Sequence, residues 1–251
     1  LPPQWLWNEL DMIRAVIFDF NGVLVDDEHV HFELFREVLA EEGVAISAQQ
    51  YHEQYLGLDD RGCFEAALID AGQGADGSRL DDLIARKAQR YVAVAAAGLR
   101  FFPDAASCLT TLAECWPLAI NSGALRPEIE FALDRLDCRD RVAAIVSAED
   151  TTRCKPDPQG YLLALDALRR HPGDGPVLAD LRPEHCVVVE DSLAGVASAK
   201  GANMWAVGIT HTYGAEALRE AGADAIIDGL ETLTPDWITS RFATVQNGSH
   251  G

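Results

Sequence analysis

Val16-Ile17-Phe18-Asp19-Phe20-Asn21-Gly22-Val23-Leu24 joins an apolar run to a carboxylate. A carboxylate after such a run is costly if buried without partners. At the carboxyl end of a strand it can face a cleft, coordinate a hard cation or attack phosphorus. A helix cap or a turn is the plainer use of the same residue. The neighbours decide between them. Further apolar runs of strand size follow at Leu118–Ile120, Ala143–Val146, Cys186–Val189, Met204–Ile209 and Ala225–Ile227. Amphipathic stretches at Ala105–Glu114, Pro127–Leu136, Gln159–Arg170 and Leu193–Lys200 separate them. That alternation predicts an α/β fold, a doubly wound parallel sheet with a Rossmann-like core covered on both faces.

The spacing is uneven. The second run comes roughly 100 residues after the first, too far for one crossover. The intervening chain reads as helical over His31–Glu42, Ala48–Gln54, Gly62–Ala71 and Leu80–Ala96, with Gly72–Ser78 as a connecting loop. The expected organisation is a core of residues 1–26 and 99–251, with an inserted helical cap over 27–98. Leu1–Asp11 reads as a leader ahead of Met12.

The 251 residues carry a formal net charge of −20. That disfavours nucleic acid and anionic membranes as partners, because both reward a basic surface. It also repels anionic substrates, so a phosphate site needs its own positive charges or a metal. No run is long and apolar enough to cross a membrane. The six cysteines show no CxxC or zinc spacing, which suits a reduced, cytoplasmic compartment, and Cys154 reads as structural. The sequence leaves open whether the chain is a monomer or a dimer.

Three more strand ends carry polar groups. Ser122 precedes Gly123 after Leu118-Ala119-Ile120-Asn121, and a hydroxyl beside glycine amides can cradle an anion. Lys155, flanked by Pro156, can neutralise a phosphate and keep a nearby carboxylate ionised. Glu190 and Asp191 follow Val187-Val188-Val189 and crowd like charge that a divalent cation relieves. Each element alone is common in loops, caps or solvated faces. Together, in this order, they form a signal.

The stretches VIFDFNGVLVD (16–26), LAINSG (118–123), KPDPQGYL (155–162) and VVVEDSLAGVASA (187–199) resemble the haloacid dehalogenase superfamily. The branch is the one with a helical cap after the first motif, near the β-phosphoglucomutases and phosphoglycolate phosphatases. The resemblance implies a Mg²⁺-dependent phosphatase that acts on a small phosphorylated metabolite through an aspartyl-phosphate. It makes Asp19 the nucleophile and a metal ligand, and Ser122 and Lys155 the binders of the transferring phosphate. Asp191 becomes a metal ligand, Glu190 a ligand or a group beside one, and position 21 a donor of its backbone carbonyl to the metal.

Position 21 departs from the pattern. The hydrolytic motif has an aspartate there that protonates the leaving alkoxide and then deprotonates water; this chain has Asn21, whose amide can do neither. Loss of a general acid/base costs ~10²–10⁴-fold. Four explanations stand: a substitute donor among Asp26, Asp27, Glu28, His29 and His31; a leaving group that needs no proton, such as an acyl phosphate; an engineered change; or deamidation at Asn21-Gly22. The alternatives to a phosphatase are an impaired phosphometabolite-binding protein, a mutase, a dehalogenase, or a phosphonatase using Lys87 as a Schiff base. Lys87 otherwise reads as a surface cation, and His31 as a polar residue near a helix start. On the substrate side, Arg61 in Gly57-Leu58-Asp59-Asp60-Arg61-Gly62 can grip an anion by a forked contact, or lie in a helix turn capped by Asp59 or Asp60.

Overall fold

The computed structural model describes residues 13–56, 58–171 and 178–243, so the expected leader lies outside the described residues. Six parallel strands form one sheet: β1 (Ala15–Phe18), β2 (Leu118–Asn121), β3 (Val142–Val146), β4 (Cys186–Glu190), β5 (Trp205–Ile209) and β6 (Ala225–Ile227). Their order is β3-β2-β1-β4-β5-β6. The chain therefore builds outward on one side of β1, then returns to its other side at β4. The crevice outside the carboxyl ends of β1 and β4 is where this topology places ligands.

Side chains alternate across the strands, and both faces are covered. Val16, Phe18, Val187 and Val189 enter one core layer with α5 (Ala105–Ala113) and α6 (Arg126–Arg135). Ala15, Ile17, Cys186 and Val188 enter the other with α7 (Gln159–Arg170) and α8 (Leu193–Gly201). Two-sided burial explains why the strands read as continuous apolar runs. The short helices α9 (Ala215–Glu220) and α10 (Pro235–Ala243) close the fold. With six residues α9 is too short for a clear helical period; neither it nor α10 was among the expected helices.

Between β1 and β2 lie α1 (Glu28–Glu41), α2 (Ala48–Gln50), α3 (Asp60–Asp70) and α4 (Gly77–Gly98). They share an apolar core of their own, including Phe35, Leu39, Phe64, Leu68 and Leu83. The expected helix at Ala48–Gln54 is one α-turn, capped by Ser47, that passes into a π-helical turn over Tyr51–Tyr55. Tyr51 and Tyr55 are buried, and their hydroxyls meet Glu28 and Asp70. No helix among the described residues is long and apolar enough to cross a membrane.

Glu128, at the start of α6, is 4% exposed, and its Oε2 accepts from the Leu125 amide. Its Oε1 has no hydrogen-bond partner among the described residues. Burial lifts its pKa from the usual 4.5 to about 6, against the opposing pull of Lys87 and His31. The fold thus favours the protonated form, and stability falls as pH rises from 4.5 through about 6. Glu128→Gln keeps an acceptor for Leu125 and removes the charge. It should stabilise the protein by ~2 kcal/mol at pH 8 and by little at pH 4.5, read from urea unfolding at the two pH values.

Candidate active site

The ends of β1, β2 and β4 converge on one cavity of about 130 Å³ with Lys155, which lies not at a strand end but in the loop between β3 and α7; Asp19, Asn21, Ser122, Gly123, Lys155 and Asp191 help to line it. Asp19 leaves β1 with its amide bonded to the Val189 carbonyl at 3.0 Å, so β4 fixes its direction. Lys155 Nζ donates to Asp19 Oδ1 at 2.6 Å and to Glu190 Oε1 at 2.5 Å. Ser122 continues the line of β2 by donating its amide to Val146, and its Oγ accepts from the Ala124 amide. Gly123 faces the helical segment: a Cβ there would stand 3.5 Å from that of Asp59.

The electrostatics are crowded. Asp19, Glu190 and Asp191 are all buried, with candidate ligand oxygens within 4.8 Å of one another. Burial pushes Asp19 up to about 7; Lys155 opposes this and Glu190 adds to it. Burial, with the charges of Asp19 and Glu190, also holds Asp191 well above the usual carboxylate range. Burial alone would lower the Lys155 pKa, but Asp19 and Glu190 outweigh it and hold the ammonium charged. Three carboxylates against one lysine leave an excess of negative charge of the kind that a divalent cation relieves.

Glu190 sits behind the others. Its Oε1 accepts from Lys155 and from Tyr161, and its Oε2 from the amide and hydroxyl of Ser192. These contacts turn it into an anchor for Lys155, and Asp19 and Asp191 face the cavity. The turn after β1 is packed equally tightly. Gly22 has φ +78°, and a Cβ there would fall 2.0 Å from Asp191 Oδ2. Only glycine suits both the backbone and the close approach. His211 Nδ1 donates to the Gly22 carbonyl at 2.8 Å and stacks on Phe102. Thr212 Oγ1 donates to Asp191. Neither His211, Thr212 nor Tyr161 was singled out from sequence. Thr210-His211-Thr212 ends β5 as the other polar groups end their strands, and that rule was available.

Asn21 lines the cavity and belongs to a second network. Its Nδ2 donates to both carboxylate oxygens of Asp27 at 3.0 Å and lies 3.1 Å from His31 Nε2. Its Oδ1 accepts from Ser122 Oγ at 3.3 Å. Asp27 is 1% exposed and also accepts from Tyr91 at 2.6 Å. His31 Nε2 lies 3.3 Å from Asp27, and its ring stacks on Tyr91. Burial would raise Asp27, but His31, Tyr91 and Asn21 bring it below its ordinary value. Burial and Lys87 would lower His31, but Asp27 prevails and raises it. Of the other proposed proton donors, Asp26 pairs with Arg100, His29 is exposed, and Glu28 lines the cavity while accepting from Tyr51 at 2.5 Å.

Two expectations on the substrate side need correction. Lys87 is no surface cation: it is 1% exposed, bonded to Asp60 at 2.5 Å and to His31 Nδ1 at 2.8 Å, above the Phe35 ring. The inward face of α4 buries it beside α1, and the described lining of the cavity does not include it. Arg61 does not reach the cavity either. Its guanidinium pairs with Asp81, because Asp59 caps α3 by accepting from the Gly62 amide and Arg61 then points outward. Gly57 of that loop lies outside the described residues.

This fold and these strand ends define a class. Residues 13–203 match the haloacid dehalogenase-like hydrolases, and the chain belongs to that family. A phosphorylated carbohydrates phosphatase of Thermotoga maritima is 30% identical, over 88% of this chain and 97% of its own. A validoxylamine A 7'-phosphate phosphatase of Streptomyces hygroscopicus is 29% identical, over 84% of this chain and 92% of its own. Among solved structures, CbbY of Rhodobacter sphaeroides in complex with phosphate superposes with a TM-score of 0.75 at 26% identity, covering 90% of this chain and 99% of that one. A β-phosphoglucomutase of Clostridium difficile has a TM-score of 0.78 at 21% identity, over 92% and 98% of the two chains, and shares the fold.

Proposed function

We propose that this chain is a Mg²⁺-dependent phosphatase of a small phosphorylated metabolite, with Asp19 as the nucleophile. The observation that carries the reading is the convergence of Asp19, Ser122, Lys155 and Asp191 on one cavity at the carboxyl edge of the sheet. Phosphatase relatives that cover most of the chain support it. Ser122 and the amides near Gly123 bind the phosphoryl oxygens. Lys155 neutralises them, aims Asp19 and opposes the burial that raises its pKa. Asp19 Oδ attacks phosphorus, and water then hydrolyses the aspartyl-phosphate. Asp19, Asp191 and the Asn21 backbone carbonyl suit a hard cation, because they are oxygen donors in a site with excess negative charge. Bound there, Mg²⁺ supplies charge neutralisation at the phosphoryl group. Residues 27–98 form the cap over the cleft, and the site is read as cytoplasmic.

The proton missing at position 21 is supplied by His31 backed by Asp27. His31 lines the cavity beside Asn21, and the Asp27 carboxylate stabilises the imidazolium that forms when Lys87, 2.8 Å from Nδ1, passes a proton to the ring. Protonated His31 gives its proton to the leaving alkoxide; neutral His31 then takes one from the attacking water. This role predicts a dependence on the leaving group. In single turnover, His31→Asn should slow phosphorylation of Asp19 by an alkyl phosphomonoester such as sorbitol 6-phosphate by about 10²-fold and phosphorylation by acetyl phosphate by little. Equal losses on both would assign His31 a structural role.

Phosphate release from p-nitrophenyl phosphate, with and without Mg²⁺, tests the function itself. Turnover that needs the metal supports the enzyme. Phosphate and Mg²⁺ binding without any turnover would leave a phosphometabolite-binding protein, which Asn21 favours.

A further inference from the structure

We propose that the substrate is a phosphomonoester of a polyol that bears no second anionic group, selected by Glu28 and Asp59. The inference rests on the phosphatase reading and concerns the side of the cavity formed by the helical segment. The helical segment walls that side with three carboxylates, Glu28 from the start of α1 and Asp59 and Asp60 at the start of α3, and with His31, whose charge Asp27 balances. Phe35 and Tyr51 supply apolar faces beside them.

The cations of this region are committed elsewhere. Arg61 is turned to Asp81, and Lys87 lies behind the wall on Asp60 and His31. Arg153 lines the cavity, but it pairs with Asp157 at 2.7 Å and its side chain is 62% exposed. A second phosphate or a carboxylate on the substrate would therefore meet Glu28 and Asp59 with no unpaired cation between them among the described residues, since His31 is paired with Asp27 and Arg153 with Asp157. A low-dielectric cleft magnifies that repulsion. Hydroxyl groups meet the opposite situation. Ionised carboxylates only accept hydrogen bonds, and polyol hydroxyls donate them. Aromatic faces suit the C–H surfaces of the same molecule. Asp59 stands against Gly123, so the discriminating charge lies next to the phosphate cradle.

The test is competition against p-nitrophenyl phosphate hydrolysis, which reads binding whether or not a probe is itself turned over. Sorbitol 6-phosphate and 6-phosphogluconate differ at one end, hydroxymethyl against carboxylate. Fructose 6-phosphate and fructose 1,6-bisphosphate differ by a phosphate. In each pair the uncharged-end compound should inhibit at least about tenfold more strongly. Glu28→Gln with Asp59→Asn keeps an acceptor for Tyr51 and a cap for α3, and removes both charges. That double variant should bring both ratios to within about twofold while still hydrolysing p-nitrophenyl phosphate. Equal inhibition within the pairs by the native protein, a preference for the doubly anionic probe, or ratios unchanged in the double variant would overturn the inference. A native protein that fails to hydrolyse p-nitrophenyl phosphate would remove the phosphatase reading, and this inference with it.

Discussion

Asp19→Asn is expected to lower Mg²⁺-dependent turnover of p-nitrophenyl phosphate and acetyl phosphate by on the order of 10⁴-fold or more. Both leaving groups need little protonation, so the loss reports on the nucleophile alone. The amide keeps the shape and an acceptor for Lys155, but its oxygen does not attack phosphorus. Stability should move the other way. The fold raises Asp19 from 3.8 to about 7, so it prefers the neutral form and loses stability as pH rises through about 7. At pH 8 without metal, Asp19→Asn should therefore melt no lower than the native protein, and Lys155 still has Glu190. Lost activity with an unchanged or higher Tm identifies chemistry; lost activity with a collapsed Tm would point to misfolding.

Exchanging the acid and the amide, Asn21→Asp with Asp27→Asn, is expected to raise turnover of alkyl phosphomonoesters by about 10²-fold. Asn21 faces the cavity and Asp27 does not. The two side chains are joined by hydrogen bonds of 3.0 Å from amide to carboxylate. The exchange reverses the direction of those bonds and moves the carboxyl group to the cavity side. Asn21→Asp alone sets two carboxyls against each other, which must then share a proton or repel. That single change should gain less and cost stability. The exchanged protein should also tolerate His31→Asn, since the acid now stands at position 21. Rates of sorbitol 6-phosphate hydrolysis across this set check the account. An exchange that gains nothing, or that still depends on His31, would sink the assignment of His31 and Asp27 to proton transfer.

The sheet was legible because two-sided burial writes strands as apolar runs, and β6 begins and ends where its run does. Strand ends were less so. Asn121 and Glu190 pair within the sheet although they are polar, because Ser122 and Asp191 take the turn after them. Most of the candidate site was legible for the same reason: Asp19, Asn121-Ser122 and Glu190-Asp191 come at the ends of apolar runs, whereas Lys155 stands nine residues past β3 and was marked by the proline beside it. What stayed hidden depends on three-dimensional closure. Lys87 reads as a surface cation along the chain, and its burial follows from Asp60 and His31, which lie on other helices. Asp27 gave no sign that its carboxylate would meet Asn21 and Tyr91, 64 residues away. Arg61 could not be placed until the cap bond of Asp59 set the direction of the turn.

The central claim is that Asp19 takes the phosphoryl group. Rapid acid quench of the native protein with acetyl phosphate and Mg²⁺, followed by peptide mass spectrometry, tests it most directly. The account predicts one phosphoryl group on the peptide that contains Asp19, absent in Asp19→Asn and lost on return to neutral, metal-containing buffer. Turnover that proceeds with the phosphoryl group on another residue would contradict it.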